Sequence, residues 1–142
     1  FDSIIYNTDR HLGNFGMITD NNTGKILRPA PIFDNGTSIF NLLLKNSIQS
    51  IYKNYVSKFE IDFDLLSNIF VDKRHQEGLE KLKNFKFKRH NKYNLPEELL
   101  EKAEAFIQSR SRLILNQLEK KLKLEIEKNP WSKNKLKGIE RD

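Results

Sequence analysis

Hydrophobic positions change their rhythm once along this chain. From Phe1 to Phe33 they come in short runs divided by polar clusters, and after residue 37 they recur every three or four positions. Phe1-Asp2-Ser3-Ile4-Ile5-Tyr6 reads as a buried apolar segment that ends at Asn7-Thr8-Asp9-Arg10-His11. Phe15-Gly16-Met17-Ile18-Thr19 predicts a short strand, and Lys25-Ile26-Leu27-Arg28 predicts its return partner. Between them Asp20-Asn21-Asn22-Thr23-Gly24 carries the residue types that cap turns and tolerate left-handed backbone. Pro29 and Pro31 end regular pairing on at least one side. Ile32-Phe33 then lead into a second turn, Asp34-Asn35-Gly36.

The helical part has three legible segments. Phe63 to Phe70 has helical spacing, with Asp62 or Asp64 placed to cap its start. Gln76 to Phe87 puts Leu79, Leu82 and Phe85 on one face. The third runs from Pro96 to about Lys128, with Glu97 and Glu98 suited to the positive end of the helix dipole. Its stripe is Leu99, Ala103, Phe106, Ile114, Leu118, Leu122 and Ile126, broken only by the eight-residue step across Arg110. Pro130 ends it, and residues 129–142 read as a polar, basic tail in which Trp131 is expected to pack against the long helix, with a partner contact as the alternative. The expected fold class is therefore α+β and mainly α, a small β-hairpin near the N-terminus followed by a helical bundle. Residues 1–128 form the folded unit.

Composition narrows the function classes. At 142 residues the chain is one domain or a piece of one, and its apolar opening at Phe1 reads as the interior of a longer protein. Charged residues make up 31%, and no apolar run approaches the roughly 18–20 residues that cross a bilayer, so no membrane contact is expected and the cytoplasm is the expected location. Cysteine is absent, which removes disulfides, thiolate metal sites and thiol nucleophiles. The net charge is +6, but Asp2, Asp9, Asp20 and Asp34 outnumber Arg10, Lys25 and Arg28 in residues 1–36, so the excess lies in the helical part. There Lys alternates with Glu, the pattern of solvated helix faces, and no arginine-rich run interleaves with aromatics, so direct nucleic-acid binding is not expected. His75 and His90 lie among charges and lack the spacing of paired metal ligands.

The candidate chemistry sits in the first quarter. Asp9 and Asn14 are five positions apart in Asn7-Thr8-Asp9-Arg10-His11-Leu12-Gly13-Asn14, and Asp34 follows twenty positions later across the hairpin. A hairpin returns the chain to its start, so Asp34 can face Asn14 and Asp9. A carboxylate and an amide oxygen are hard ligands that suit Mg²⁺, which takes one or two carboxylates plus phosphate oxygens and water. A second carboxylate outside the metal site can accept a proton from an attacking hydroxyl. Alone, Asp9 and Asn14 would fit a loop whose side chains cap turns. Together with Asn7, His11 and Asp34-x-Gly they match the catalytic-base and metal-ligand spacing of phosphoryl transfer. Arg10 suits either a phosphate contact or a structural salt bridge, and Asp20 a turn.

The run Asn7 to Gly16, followed by Pro31-Ile32-Phe33-Asp34-Asn35-Gly36, resembles the HipA-like family of bacterial serine/threonine kinases, with its Asn-x-Asp-x-His-x-x-Asn catalytic loop. It is also similar, more distantly, to phosphatidylinositol kinases. The resemblance covers about residues 3–40; residues 41–128 agree only in kind with the helical part of a kinase C-terminal lobe. It implies a kinase-like C-terminal lobe, with Asp9 as catalytic base, Asn14 and Asp34 as ligands for Mg²⁺ and its ATP, His11 bracing the catalytic loop and Asn7 fixing its backbone. It further implies a protein substrate, and a toxin–antitoxin setting with an antitoxin partner. Two departures stand out. Asp34-Asn35-Gly36 replaces the Asp-Phe-Gly of protein kinases. The Gly-rich loop, strand lysine and helix glutamate of a kinase are absent, and would belong to an N-terminal lobe upstream of Phe1. The rival expectations are an inactive or split lobe acting as a binding module, and a kinase-fold enzyme for a lipid or small molecule.

Overall fold

The structure is a computed structural model that describes residues 1–128. The expected tail at 129–142, with Trp131, lies outside the described residues. The order of elements is α1 (Asp2–Ile5), β1 (Met17–Thr19), β2 (Ile26–Pro29), α2 (Ile39–Leu43), α3 (Ile48–Asn54), α4 (Phe63–Phe70), α5 (Gln76–Leu82) and α6 (Glu97–Lys128). The architecture is α+β and mainly helical, with one two-stranded antiparallel hairpin near the N-terminus.

Strands β1 and β2 pair Met17 with Pro29 and Ile18 with Arg28, and an irregularity follows Ile18. The turn forms as its residues dictate. Asp20 Oδ1 accepts the backbone N–H groups of Asn22 and Thr23 at 3.0 and 2.8 Å, and Gly24 takes φ +69°, where glycine has no side chain to clash. Pro29 is the last residue of its strand, so its missing N–H costs no ladder bond beyond the edge.

Residues 1–6 differ from the expectation of a buried apolar segment. They form one short helical turn in which Phe1 is exposed and only Tyr6 is buried. Asp2 and Ser3 break the apolar run, so the segment has one inward face. Tyr6 closes the turn at φ 52°, a left-handed conformation that costs a bulky residue about 1–2 kcal/mol. Packing holds it there: its ring lies 4.2 Å from Phe63 and 5.2 Å, edge-on, from Phe106 (centroid distances). Burial raises the Tyr6 hydroxyl pKa above its ordinary value, against an opposing effect from the nearby Arg110 cation.

The main core gathers Tyr6, Ile39, Leu42, Ile51, Phe63, Ala103 and Phe106 around α6. A second cluster joins Leu79 of α5 to Ile114 and Leu115 of α6. Helix α4 spans Phe63–Phe70, and its cap is Asp62, whose carboxylate accepts the N–H groups of Asp64 and Leu65. Helix α5 stops at Leu82, short of the expected Phe87. The chain leaves it because residues 86–89 are tied to Glu104, a buried carboxylate on α6. Glu104 accepts the Phe87 N–H at 2.9 Å and Lys86 Nζ at 2.7 Å, and pairs with Arg89.

The break in the α6 stripe is filled by Arg110 itself, which is fully buried. Its Nε donates to the Ser3 carbonyl at 3.1 Å, its Nη1 pairs with Asp64, and its guanidinium lies 4.9 Å from the Tyr6 ring centre. Arg110 Nη2 has no hydrogen-bond partner among the described residues. Of the two carboxylates at the start of α4, one caps the helix and the other neutralises Arg110.

Candidate functional site

Helix α1 and the left-handed Tyr6 deliver the chain to Asn7, which is fully buried and acts as a bracket. Asn7 Nδ2 donates to the Asp34 carbonyl at 3.2 Å and to Asn35 Oδ1 at 3.4 Å. Asn7 Oδ1 accepts the Asp9 N–H at 3.2 Å and the Thr37 hydroxyl at 3.3 Å. One amide therefore joins the backbone of Asp9 to the backbone of Asp34, 27 residues later than Asn7 itself. Thr8 adds a second tie, donating from its hydroxyl to the Thr37 carbonyl at 3.1 Å.

Arg10 is structural. Its Nε donates to both Asp2 carboxylate oxygens at 3.0 and 3.2 Å, its Nη1 to the Phe33 carbonyl at 2.7 Å, and its Nη2 to Asp2 and to Asn35 Oδ1, the latter at 2.7 Å. The side chain is 7% exposed, so the guanidinium has little face left for a ligand. This decides between the two uses the sequence allowed, and it gives Asp2 a role.

A 3₁₀ turn at Leu12–Asn14 follows. His11 caps it: the Gly13 N–H donates to His11 Nδ1 at 3.1 Å, and the His11 N–H donates to Asn14 Oδ1 at 3.4 Å. Gly13 fits closely there: a Cβ would sit 3.0 Å from the His11 ring, which would have to shift to admit it. The ring itself is exposed. Asn14 is buried, and its Nδ2 donates to Asp34 Oδ2 across the base of the hairpin. The hairpin makes this contact: Ala30 N–H bonds to the Gly16 carbonyl at 2.9 Å, which returns residues 31–34 to the start of β1. Asp34 takes φ 57°, the left-handed region that a non-glycine residue enters at a cost, and such outliers concentrate at functional sites.

All five sequence-predicted residues thus belong to one connected network. Asn7 and His11 hold backbone, Asn14 and Asp34 touch through their side chains, and Asp9 is anchored through its N–H. The Asp9 carboxylate is 43% exposed and pairs with Lys58 Nζ at 3.1 Å. Lys58, Asn35 and Thr37 carried no sequence signal for a site role; Lys58 lies outside the motif-bearing segment, in the turn between α3 and α4.

Chemically, a carboxamide and a carboxylate are hard oxygen donors of the kind that suit Mg²⁺ completed by phosphate oxygens and water. Here the Asn14 amide nitrogen faces Asp34 and its oxygen accepts the His11 N–H, so ligation through that oxygen requires the amide to turn. The half-exposed Asp9 carboxylate is paired with Lys58 and keeps part of its surface open to solvent. Among the described residues no cluster of three or more His, Cys, Asp or Glu is arranged to hold a metal, so a cation here would rest on Asn14 and Asp34 with ligands from its substrate. A neighbouring apolar groove of about 880 Å³, lined by Phe1, Ile4, Phe15, Phe59, Phe70 and Leu82, reaches the network at Asp2, Asn7 and Arg10. No helix among the described residues is long and apolar enough to cross a membrane.

No family model, curated protein or solved structure matches the chain.

Proposed function

We propose that this chain is the catalytic lobe of a HipA-like serine/threonine protein kinase, which transfers the γ-phosphoryl group of ATP to a Ser or Thr hydroxyl. The observation that carries the reading is the side-chain contact of Asn14 with Asp34, twenty residues apart, with Asp9 tied to the same network through Asn7. A kinase-style site needs a proton acceptor beside a metal-binding amide and carboxylate, and the gathering of these residue types in one network supports that reading.

In this reading Asp9 orients the substrate hydroxyl and takes its proton. Asn14 and Asp34 hold Mg²⁺, which when bound neutralises the ATP phosphates. Asn7 and His11 keep the loop in register, and most of the rate enhancement comes from positioning and fixed charge. An antitoxin partner and a toxin role rest on the family resemblance alone.

A second observation bears on the rest of the enzyme. Phe1, Leu12, Phe15, Met17, Ile26 and Leu27 are all more than half exposed, and a two-stranded hairpin is marginal by itself. Such a surface suits coverage by a further lobe. In the rival reading it makes the piece a binding module.

The test is ³²P transfer from γ-labelled ATP with Mg²⁺, in the longest natural chain carrying these residues, beside Asp9→Asn and Asp34→Asn. Labelling of Ser or Thr that both substitutions abolish supports the kinase. Labelling that survives both removes the site assignment, and no labelling in the unmodified chain favours the binding module.

A further inference from the structure

Phosphoryl transfer at the Asp9 site would bring a polyanion into a region that is already acidic. Asp2, Asp9 and Asp34 contribute three carboxylates to the network. Among the described residues, the cations paired with these carboxylates are Arg10 and Lys58. Arg10 is bound on all sides by Asp2, Asn35 and the Phe33 carbonyl, and is buried. Lys58 is different: its side chain is 56% exposed, and its ammonium lies 3.1 Å from Asp9 Oδ1, beside the carboxylate that would receive the hydroxyl proton.

The turn that carries Lys58 is firmly held. Ser57 is buried, its N–H donates to the Ile61 carbonyl at 3.0 Å, and its hydroxyl accepts the Ile61 N–H at 3.2 Å. Glu60 N–H closes the loop on the Ser57 carbonyl at 2.9 Å, with Glu60 at φ 59°. Asp62 then begins α4. A fixed turn places a flexible four-carbon stem, so the ammonium has a defined origin and a short reach. An exposed ion pair of this kind contributes little to stability, so folding alone does not require it.

We infer that Lys58 is a catalytic residue, the cation that leaves Asp9 to bind the non-bridging oxygens of the transferring phosphoryl group. The inference rests on the phosphotransfer reading of the site. In the step, the substrate hydroxyl oxygen bonds to the γ-phosphorus and the bond from that phosphorus to the β,γ-bridging oxygen breaks. ADP leaves with the electron pair of that bond, and the hydroxyl proton passes to the Asp9 carboxylate. Lys58 keeps its proton throughout and stabilises the charge spread over the phosphoryl oxygens. Its departure from Asp9 also frees the carboxylate for the incoming hydroxyl.

The experiment compares unmodified chain, Lys58→Met, Lys58→Arg and Asp9→Asn, in the same natural chain, with Mg²⁺, γ-labelled ATP and dephosphorylated casein. Lys58→Met is expected to lower kcat about 100-fold with KM for casein little changed, and Lys58→Arg to recover to within about tenfold. Thermal midpoints should match across the Lys58 variants. Binding of Mg²⁺-ADP-aluminium fluoride, which mimics the planar phosphoryl group, should weaken at least about tenfold in Lys58→Met while Mg²⁺-ADP binding is unchanged. A structural role would not split those two ligands. Lys58→Met with full kcat beside an inactive Asp9→Asn overturns the Lys58 role and leaves the kinase standing. No transfer by the unmodified chain overturns both.

Discussion

Arg110 Nε, midway along the last helix, donates to the main-chain carbonyl of Ser3 at 3.1 Å, joining positions 107 residues apart. The bond fixes the turn that feeds Tyr6 and Asn7 into the candidate catalytic loop. Asp64 neutralises the same guanidinium, and the Tyr6 and Tyr52 rings lie 4.9 and 5.8 Å from it. A buried charge so engaged is costly to strip of partners and costly to remove without filling its volume.

Arg110→Ala is therefore expected to destabilise the fold by about 3 kcal/mol, leaving the Ser3 carbonyl and Asp64 without their donor. Arg110→Met keeps the aliphatic volume and should cost less, by about 1–2 kcal/mol. Urea unfolding of the two variants checks this, and equal losses would show that packing volume matters little at this position.

Glu104 gives a pH prediction. Hydrogen bonds from Arg89 and then Lys86 hold its carboxyl at about 2, against an ordinary value of 4.5. A group whose folded pKa is lowered stabilises the fold fully above the unfolded value, and that stabilisation fades as pH falls through the folded value. Glu104→Gln should be less stable than the unmodified chain at pH 7, and the gap should close as pH falls from about 4.5 toward 2. Unfolding midpoints across that range test it. A gap independent of pH would mean that the ion pairs with Arg89 and Lys86 contribute nothing.

Asp34 separates stability from activity. Its φ of 57° is free to glycine and strained for aspartate. Asp34→Gly should leave stability unchanged or raise it by up to about 1 kcal/mol, while phosphate transfer disappears with the carboxylate. Denaturant unfolding and ³²P labelling of the same preparation report both halves. A large loss of stability would mean that the Asn14–Asp34 contact outweighs the backbone strain.

Asp62→Ala removes the cap of α4, whose first N–H groups at Asp64 and Leu65 lose their acceptor. The expected cost is about 1 kcal/mol, measured by thermal or urea unfolding. Asp64→Ala, which strands Arg110, should cost more. The reverse order would reassign the two carboxylates.

How much of this was legible in the sequence depends on range. The hairpin was, because Asp20 to Gly24 act within their own turn. Helices α4 and α6 were, because a period of three to four needs no partner to be recognised. Helices α2 and α3 were seen only as a change of rhythm, since five and seven residues give too few repeats to mark an end. The end of α5 was overrun because Phe85 keeps the helical period, while Glu104, far along the chain, draws the backbone away at Phe87. The opening segment looked buried because apolar content says nothing about which side faces the core.

The same division runs through the candidate site. The sequence alone determined the residue types and their spacing, since Asn7, Asp9, His11 and Asn14 lie in one loop and a hairpin of known length carries Asp34 back. Only the tertiary structure decided which groups are occupied and which are open. Arg10 proved to be bound by Asp2 and Asn35, the broken stripe of α6 proved to be a buried cation, and Lys58 came to rest against Asp9 from outside the motif. The physical reason is that spacing and periodicity are properties of neighbouring residues. Burial, ion pairing and the freedom of a charge depend on side chains brought together from distant parts of the chain.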